Sequence, residues 1–115
     1  MGQKLGAIIL TIYYVLDEIG KTNDWFDELD IFDNLTRFKS DSIKSSIIAK
    51  IHREHKKHSR NKKFVTLSSA SRIKGWLNKH TYRKPRFWFK KENDKFKIKQ
   101  MYLEELSDAL QNIKQ

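Results

Sequence analysis

The chain has 115 residues, 38% of them hydrophobic, with seven Phe, four Tyr and three Trp, enough for one packed domain and too much apolar material for a disordered tail. It contains no cysteine, which excludes disulfides, thiolate nucleophiles and cysteine-based zinc sites and fits an intracellular protein of the cytoplasm or nucleoid. The formal net charge of +10 is sorted along the chain, with 21 Lys and Arg against four acids from Arg37 to Lys99 and seven acids against one Lys from Asp17 to Asp33. Solubility needs no such sorting, so the pattern points to a polyanionic partner, with nucleic acid leading.

Taken in order, Lys4 to Ile19 reads as a helix with Leu5, Ile8, Ile9, Ile12, Leu16 and Ile19 on one face. Tyr13, Tyr14 and Val15 widen that face, which predicts a helix covered on most sides. The apolar run Ala7 to Leu16 is too short to span a membrane and is followed by no small-residue cleavage site, so no membrane association is expected. Gly20 stands where a left-handed helix cap belongs. Thr22 or Asn23 can then cap a second helix with Trp25, Phe26, Leu29, Phe32 and Leu35 as its buried side. The acids of that segment alternate with bulky apolar residues and lack the glycine of a calcium loop, so they read as a solvated face and no metal is expected.

After a turn over Thr36 to Ser40, Ser40 or Asp41 caps a third helix whose apolar residues Ile43, Ile47, Ile48 and Ile51 share one side. Its other side carries Ser42, Ser45, Ser46, Ala49, His52, Arg53, Lys56 and Lys57. Small residues there would let a backbone approach a groove while the cations meet phosphates. His52, His55 and His58 recur every three residues, but four Lys and Arg between His52 and Arg60 would repel a cation, so phosphate or water is the expected neighbour.

Lys63 to Leu67 is a short strand candidate, and Ser68 or Ser69 caps a fourth helix, Ala70 to His80. Ala70, Ile73 and Leu77 form its inner stripe, with Trp76 beside them, and Gly75 interrupts it. Pro85 ends a break over Thr81 to Pro85. Arg86 to Lys99 alternates aromatic and basic residues around Glu92-Asn93-Asp94, which predicts a hairpin with one aromatic and one basic face. Met101 to Ile113 is a last helix with Tyr102, Leu106, Ala109, Leu110 and Ile113 at helical spacing. It would either close the fold or pair with a second copy, giving a homodimer through residues 101–113.

The order helix, helix, basic helix, short strand, helix, basic hairpin, helix resembles the winged helix-turn-helix superfamily of DNA-binding domains. The resemblance implies an α+β, mostly helical, winged-helix-like domain over residues 1–99, with an extra C-terminal helix over 100–115. It likens Ser42 to Lys57 to the recognition helix and Arg86 to Lys99 to the wing. In the family the wing follows the recognition helix almost directly, whereas here Ser68 to Pro85 intervenes. The alternative makes Ala70 to His80 the reading helix, with Ser71, Arg72, Lys74, Lys79 and Arg83 facing bases. The earlier helix is favoured for its small outward residues and denser charge.

The functional expectation is a non-enzymatic module that binds duplex DNA without a cofactor, in transcriptional regulation or as an adaptor in a larger nucleic-acid-processing system. Its expected contacts are Lys44, Ser45, Lys50, Arg53, Lys56, Lys57, Arg60, Lys62, Lys63, Arg72, Lys74, Arg86, Lys90, Lys91 and Lys95. Three other readings stand beside it. Trp88, Phe87, Phe89 and Tyr82 could stack on RNA bases. The acidic Asp17 to Asp33 segment could serve as a protein-interaction surface. A nuclease would need a carboxylate cluster beside the basic surface, and no such constellation is visible.

Overall fold

The computed structural model describes residues 5–55, 66–81 and 87–115. Among these there are five α-helices and a two-stranded antiparallel hairpin near the C-terminus, an α+β and mostly helical architecture. The radius of gyration is 13.0 Å, about what a single packed domain of this length gives.

Helix α1 (Ala7–Glu18) is the centre, with every residue from Ala7 to Leu16 buried. Packing on several sides explains why its apolar residues form no narrow stripe. Its end is a Schellman motif, as the Gly20 position suggests. Gly20 adopts φ 74°, the Lys21 amide donates to the Leu16 carbonyl at 2.8 Å, and the Gly20 amide donates to Asp17 at 3.3 Å.

Helix α2 (Glu28–Phe38) begins later than the sequence suggests. Asp27 is its N-cap, accepting from the amides of Leu29 and Asp30, while the Asp30 side chain accepts from the Asp27 amide to complete a capping box. The expected caps Thr22 and Asn23 lie upstream because Phe26 is extended and pairs with the hairpin. Its amide donates to the Phe96 carbonyl at 2.8 Å and its carbonyl accepts from the Phe96 amide at 2.7 Å. Its buried side is Ile31, Leu35 and Phe38, at i, i+4 and i+7, while Leu29 is 51% exposed.

Helix α3 (Ser42–His55) packs on α1 and is likewise turned from its expected setting. Ile51 is buried, Ile47 and Ile48 are half-buried, and Ile43 is 73% exposed, contrary to the expected apolar face. His52, expected outside, is buried, and Ser45 is half-buried. The helix meets α1, α2 and the C-terminal helix at once, and the residues that face them turn inward. Lys44 fastens it to α1 through Glu18 at 3.4 Å.

Helix α4 (Ala70–Lys79) is capped by Ser69, whose hydroxyl accepts from the Arg72 amide, and it buries Ile73 and Leu77 against α2 as its spacing predicts. Of the strand expected over Lys63 to Leu67, residues 63–65 lie outside the described residues, while Thr66 is helical and Leu67 lies in a turn. Strands β1 (Phe89–Glu92) and β2 (Lys95–Ile98) pair with Phe89 opposite Ile98 and Glu92 opposite Lys95. Asn93 and Asp94 make the two-residue turn with φ of 49° and 64°, the left-handed values that a type I′ hairpin requires. A 3₁₀ turn (Gln100–Tyr102) leads into α5 (Leu103–Lys114), which buries Leu106, Leu110 and Ile113 against α1 and α3.

Candidate nucleic-acid interface

The expected contact residues fall into three structural groups. Lys44, Ser45, Lys50 and Arg53 are on α3, Arg72 and Lys74 on α4, and Lys90, Lys91 and Lys95 on the hairpin. Lys56, Lys57, Arg60, Lys62, Lys63 and Arg86 lie outside the described residues.

On α3 the cations are partly engaged within the chain. Lys44 Nζ lies 3.4 Å from Glu18 and 3.5 Å from Asp41, and the charges of Asp41 and then Glu18 hold its ammonium above the ordinary lysine range. Lys50 donates to the backbone carbonyl of Gln115 at 3.0 Å. Ser45 lines a cleft of about 310 Å³ between α2 and α3, with Phe32, Leu35, Ile48 and His52 among its other walls. Ser42, Ser46, Ala49 and Arg53 remain exposed.

Helix α4 presents a different surface. Ser71, Arg72, Gly75 and Lys79 are exposed, with Lys74 and Asn78 half-buried at its edge. Its C-terminus runs into the hairpin through two direct bonds. The Phe89 amide donates to the His80 carbonyl at 3.1 Å, and Lys91 Nζ donates to Asn78 Oδ1 at 2.9 Å. Aromatic packing reinforces the junction, with the Trp76 and His80 rings stacked 4.0 Å apart and Phe89 edge-on to Trp76 at 6.0 Å. Burial pushes the His80 imidazole below the ordinary histidine range, against the opposing effect of the bond its Nδ1–H donates to the Trp76 carbonyl at 2.9 Å.

The hairpin has one apolar and one basic side, as its alternation predicts. Phe89, Phe96 and Ile98 are buried. On the opposite side Lys90 stands directly across from Lys97, a like-charge pair that costs the hairpin stability unless an anion offsets it. Lys97 also lies over the Trp25 ring at 5.6 Å, and Lys91 over Phe96 at 5.6 Å. Lys95 is bound to Asp27 at 3.1 Å. Burial raises the Asp27 carboxyl, but the Asp30 amide, the Lys95 ammonium and the Leu29 amide together outweigh it and hold the group below the usual carboxylate range.

Four of the seven acids of Asp17 to Asp33 thus meet cations of their own chain. Asp17 pairs with Lys114, Glu18 with Lys44, Asp27 with Lys95 and Asp30 with Lys21. Of the aromatics that could stack on RNA, Trp88 and Phe89 are buried in the core and Phe87 is half-buried, while Tyr82 lies outside the described residues. Asn78 escaped the sequence reading because its partner Lys91 is 13 residues away on another element. Gly75 was visible only as a weak point in a helix.

Among the described residues no helix is long and apolar enough to cross a membrane. Comparison with protein-family models, with curated proteins and with solved structures returns no match to this chain.

Proposed function

We propose that this chain is an intracellular, non-enzymatic duplex-DNA-binding module of winged-helix type, in which α4 is the reading helix and the β1–β2 hairpin is the wing. The observation that carries this reading is the junction of α4 with the hairpin. A helix with an exposed Ser71, Arg72, Gly75 and Lys79 face leads into a ribbon with Lys90 and Lys97 side by side, and the Lys91–Asn78 and Phe89–His80 bonds join the two. The Phe26–Phe96 bridge adds a short extended segment before α2, so α2 and α4 form the helix pair that the wing follows.

This arrangement shifts the preference between the two candidate helices. Helix α3 has its Lys44 and Lys50 engaged by groups of the same chain and its Ser45 turned into a cleft. Helix α4 has its cations on the outside and adjoins the hairpin, the order a wing requires. On this reading Arg72, Lys74, Lys79 and Lys91 take phosphates or base edges on the α4 side of the hairpin, and Lys90 takes phosphate from its opposite face.

Fluorescence anisotropy with a random-sequence duplex across a salt series tests the proposal. Binding that falls linearly in log K against log salt, with a slope reduced by about one for each of Arg72→Ala and Lys90→Ala, is the expected result. Equal slopes in wild type and both variants would contradict the assignment of these two residues.

A further inference from the structure

The Phe26 bridge makes the hairpin part of a three-segment sheet, with the extended residues around Phe26 lying beside β2. Phe26 stands opposite Phe96 and the two segments are antiparallel, which sets Trp25 opposite Lys97 and Asp27 opposite Lys95. On the other side of β2, Lys97 stands opposite Lys90 and Lys95 opposite Glu92. Side chains alternate between faces, so these residues share the outer face, turned away from Phe89, Lys91, Phe96 and Ile98. Two rows cross it, Asp27–Lys95–Glu92 and Trp25–Lys97–Lys90.

The first row is balanced in sign. Lys95 is bound to Asp27 at 3.1 Å and has Glu92 on its other side. The second row is not. Lys90 and Lys97 oppose each other directly, and among the described residues neither makes an ion pair. The rest of the chain has no acidic side chain to add, because all 14 of its Asp and Glu lie within the described residues. Like charges set directly across a strand pair are destabilising. Lys97 is moreover held in the row, its ammonium 5.6 Å from the centre of the half-buried Trp25 ring, while Lys90 is exposed. A phosphate group has several acceptor oxygens and can accept from both ammoniums at once, which turns the repulsion into two charge-assisted hydrogen bonds.

We infer that Lys90 and Lys97, with Trp25 fixing Lys97, form a phosphate clamp on the outer face of the sheet, separate from the α4 surface, so that the hairpin meets DNA phosphates on two faces. The clamp itself needs only the anion, and its assignment to DNA rests on the duplex-binding reading above.

Thermal midpoints of the full chain, of Lys90→Gln and of Lys39→Gln test the inference. Lys39 is exposed at the end of α2, so K39Q controls for the loss of one positive charge. In low-salt buffer K90Q is expected to melt about 1–4 °C above wild type, and K39Q to gain less. Sodium phosphate is expected to raise the wild-type midpoint more than chloride or acetate at equal ionic strength, and to lose that advantage in K90Q. In a heteronuclear NMR spectrum the Trp25 indole N–H, identified as the resonance lost in Trp25→Phe, should move when phosphate or a random duplex is added to wild type and stay in place in K90Q. A K90Q midpoint no higher than that of K39Q, acetate acting as well as phosphate, or the same phosphate response in K90Q and wild type would overturn the clamp and leave duplex binding through α4 standing. A Trp25 indole that moves with phosphate but not with bound duplex would overturn the assignment to DNA. Absence of salt-dependent duplex binding by wild type would overturn the reading above, and the phosphate response would then decide the clamp by itself.

Discussion

Lys95 Nζ lies 3.1 Å from Asp27 Oδ2, and this single contact ties the start of β2 to the N-cap of α2 across 68 residues of sequence. Asp27 therefore has two tasks that can be separated. Asparagine caps a helix about as well as aspartate but carries no charge. Asp27→Asn should keep α2 capped and release Lys95, tightening duplex binding and steepening its salt dependence by up to about one in the slope. Anisotropy of D27N against wild type checks this, and an unchanged slope would show that Lys95 does not reach phosphate when freed.

The same carboxylate makes stability acid-sensitive. Its folded value is depressed, so its contribution is complete above the ordinary aspartate value of 3.8 and is lost as pH falls below that through the folded value. Urea unfolding between pH 5 and pH 2.5 should show a shallower loss for D27N than for wild type.

His80 gives a second pH dependence, in a different window. Burial lowers its folded value below 6.5, so the unfolded chain takes up the proton first as pH falls. Stability should be complete above about pH 6.5 and decline below it. His80→Gln should flatten the thermal midpoint between pH 7 and pH 5.5, and an equal decline in the variant would place the titrating group elsewhere.

Among the described residues the hydroxyl of Tyr14 is buried without a hydrogen-bond partner. Burial, with the charges of Glu18, Asp41 and Asp17, pushes that hydroxyl up to about 12. Tyr14→Phe removes an unpaired polar atom and keeps the ring packed against Phe38 at 6.0 Å. It should stabilise the domain by about 1 kcal/mol, measurable by urea unfolding. A loss of stability would mean that the hydroxyl is bonded in solution.

The setting of α3 is tested by two isoleucines that the sequence places on one face. Ile51→Ala should cost about 2–5 kcal/mol because Ile51 is fully buried. Ile43→Ala should change stability by less than about 0.5 kcal/mol because Ile43 is largely exposed. Comparable losses at both positions would restore the face that periodicity alone suggests.

That pair also marks where the sequence was and was not legible. Local signals carried α1 with its glycine cap, α4 with its serine cap and inner Ile73 and Leu77, and the hairpin with its turn, because each depends on residues close together in the chain. The start of α2 was not legible, because Phe26 pairs with Phe96 and that partner is 70 positions away. Nor was the rotation of α3, which packs against α1, α2 and α5 at once. In the candidate site the positive residues themselves were evident, while the engagement of Lys44 by Glu18, of Lys95 by Asp27 and of Lys91 by Asn78 needed the folded chain. The first of those contacts takes Lys44 of α3 out of the candidate interface, the second ties up Lys95 of the hairpin, and the third joins the hairpin to α4.

The most direct test of the central claim is the equilibrium binding of wild-type chain to a random duplex from about 50 to 200 mM salt, the range over which phosphate contacts make affinity fall by orders of magnitude. A straight log–log decline with a slope of several units is the expected result. Affinity that is absent throughout, or constant over that range, would contradict it.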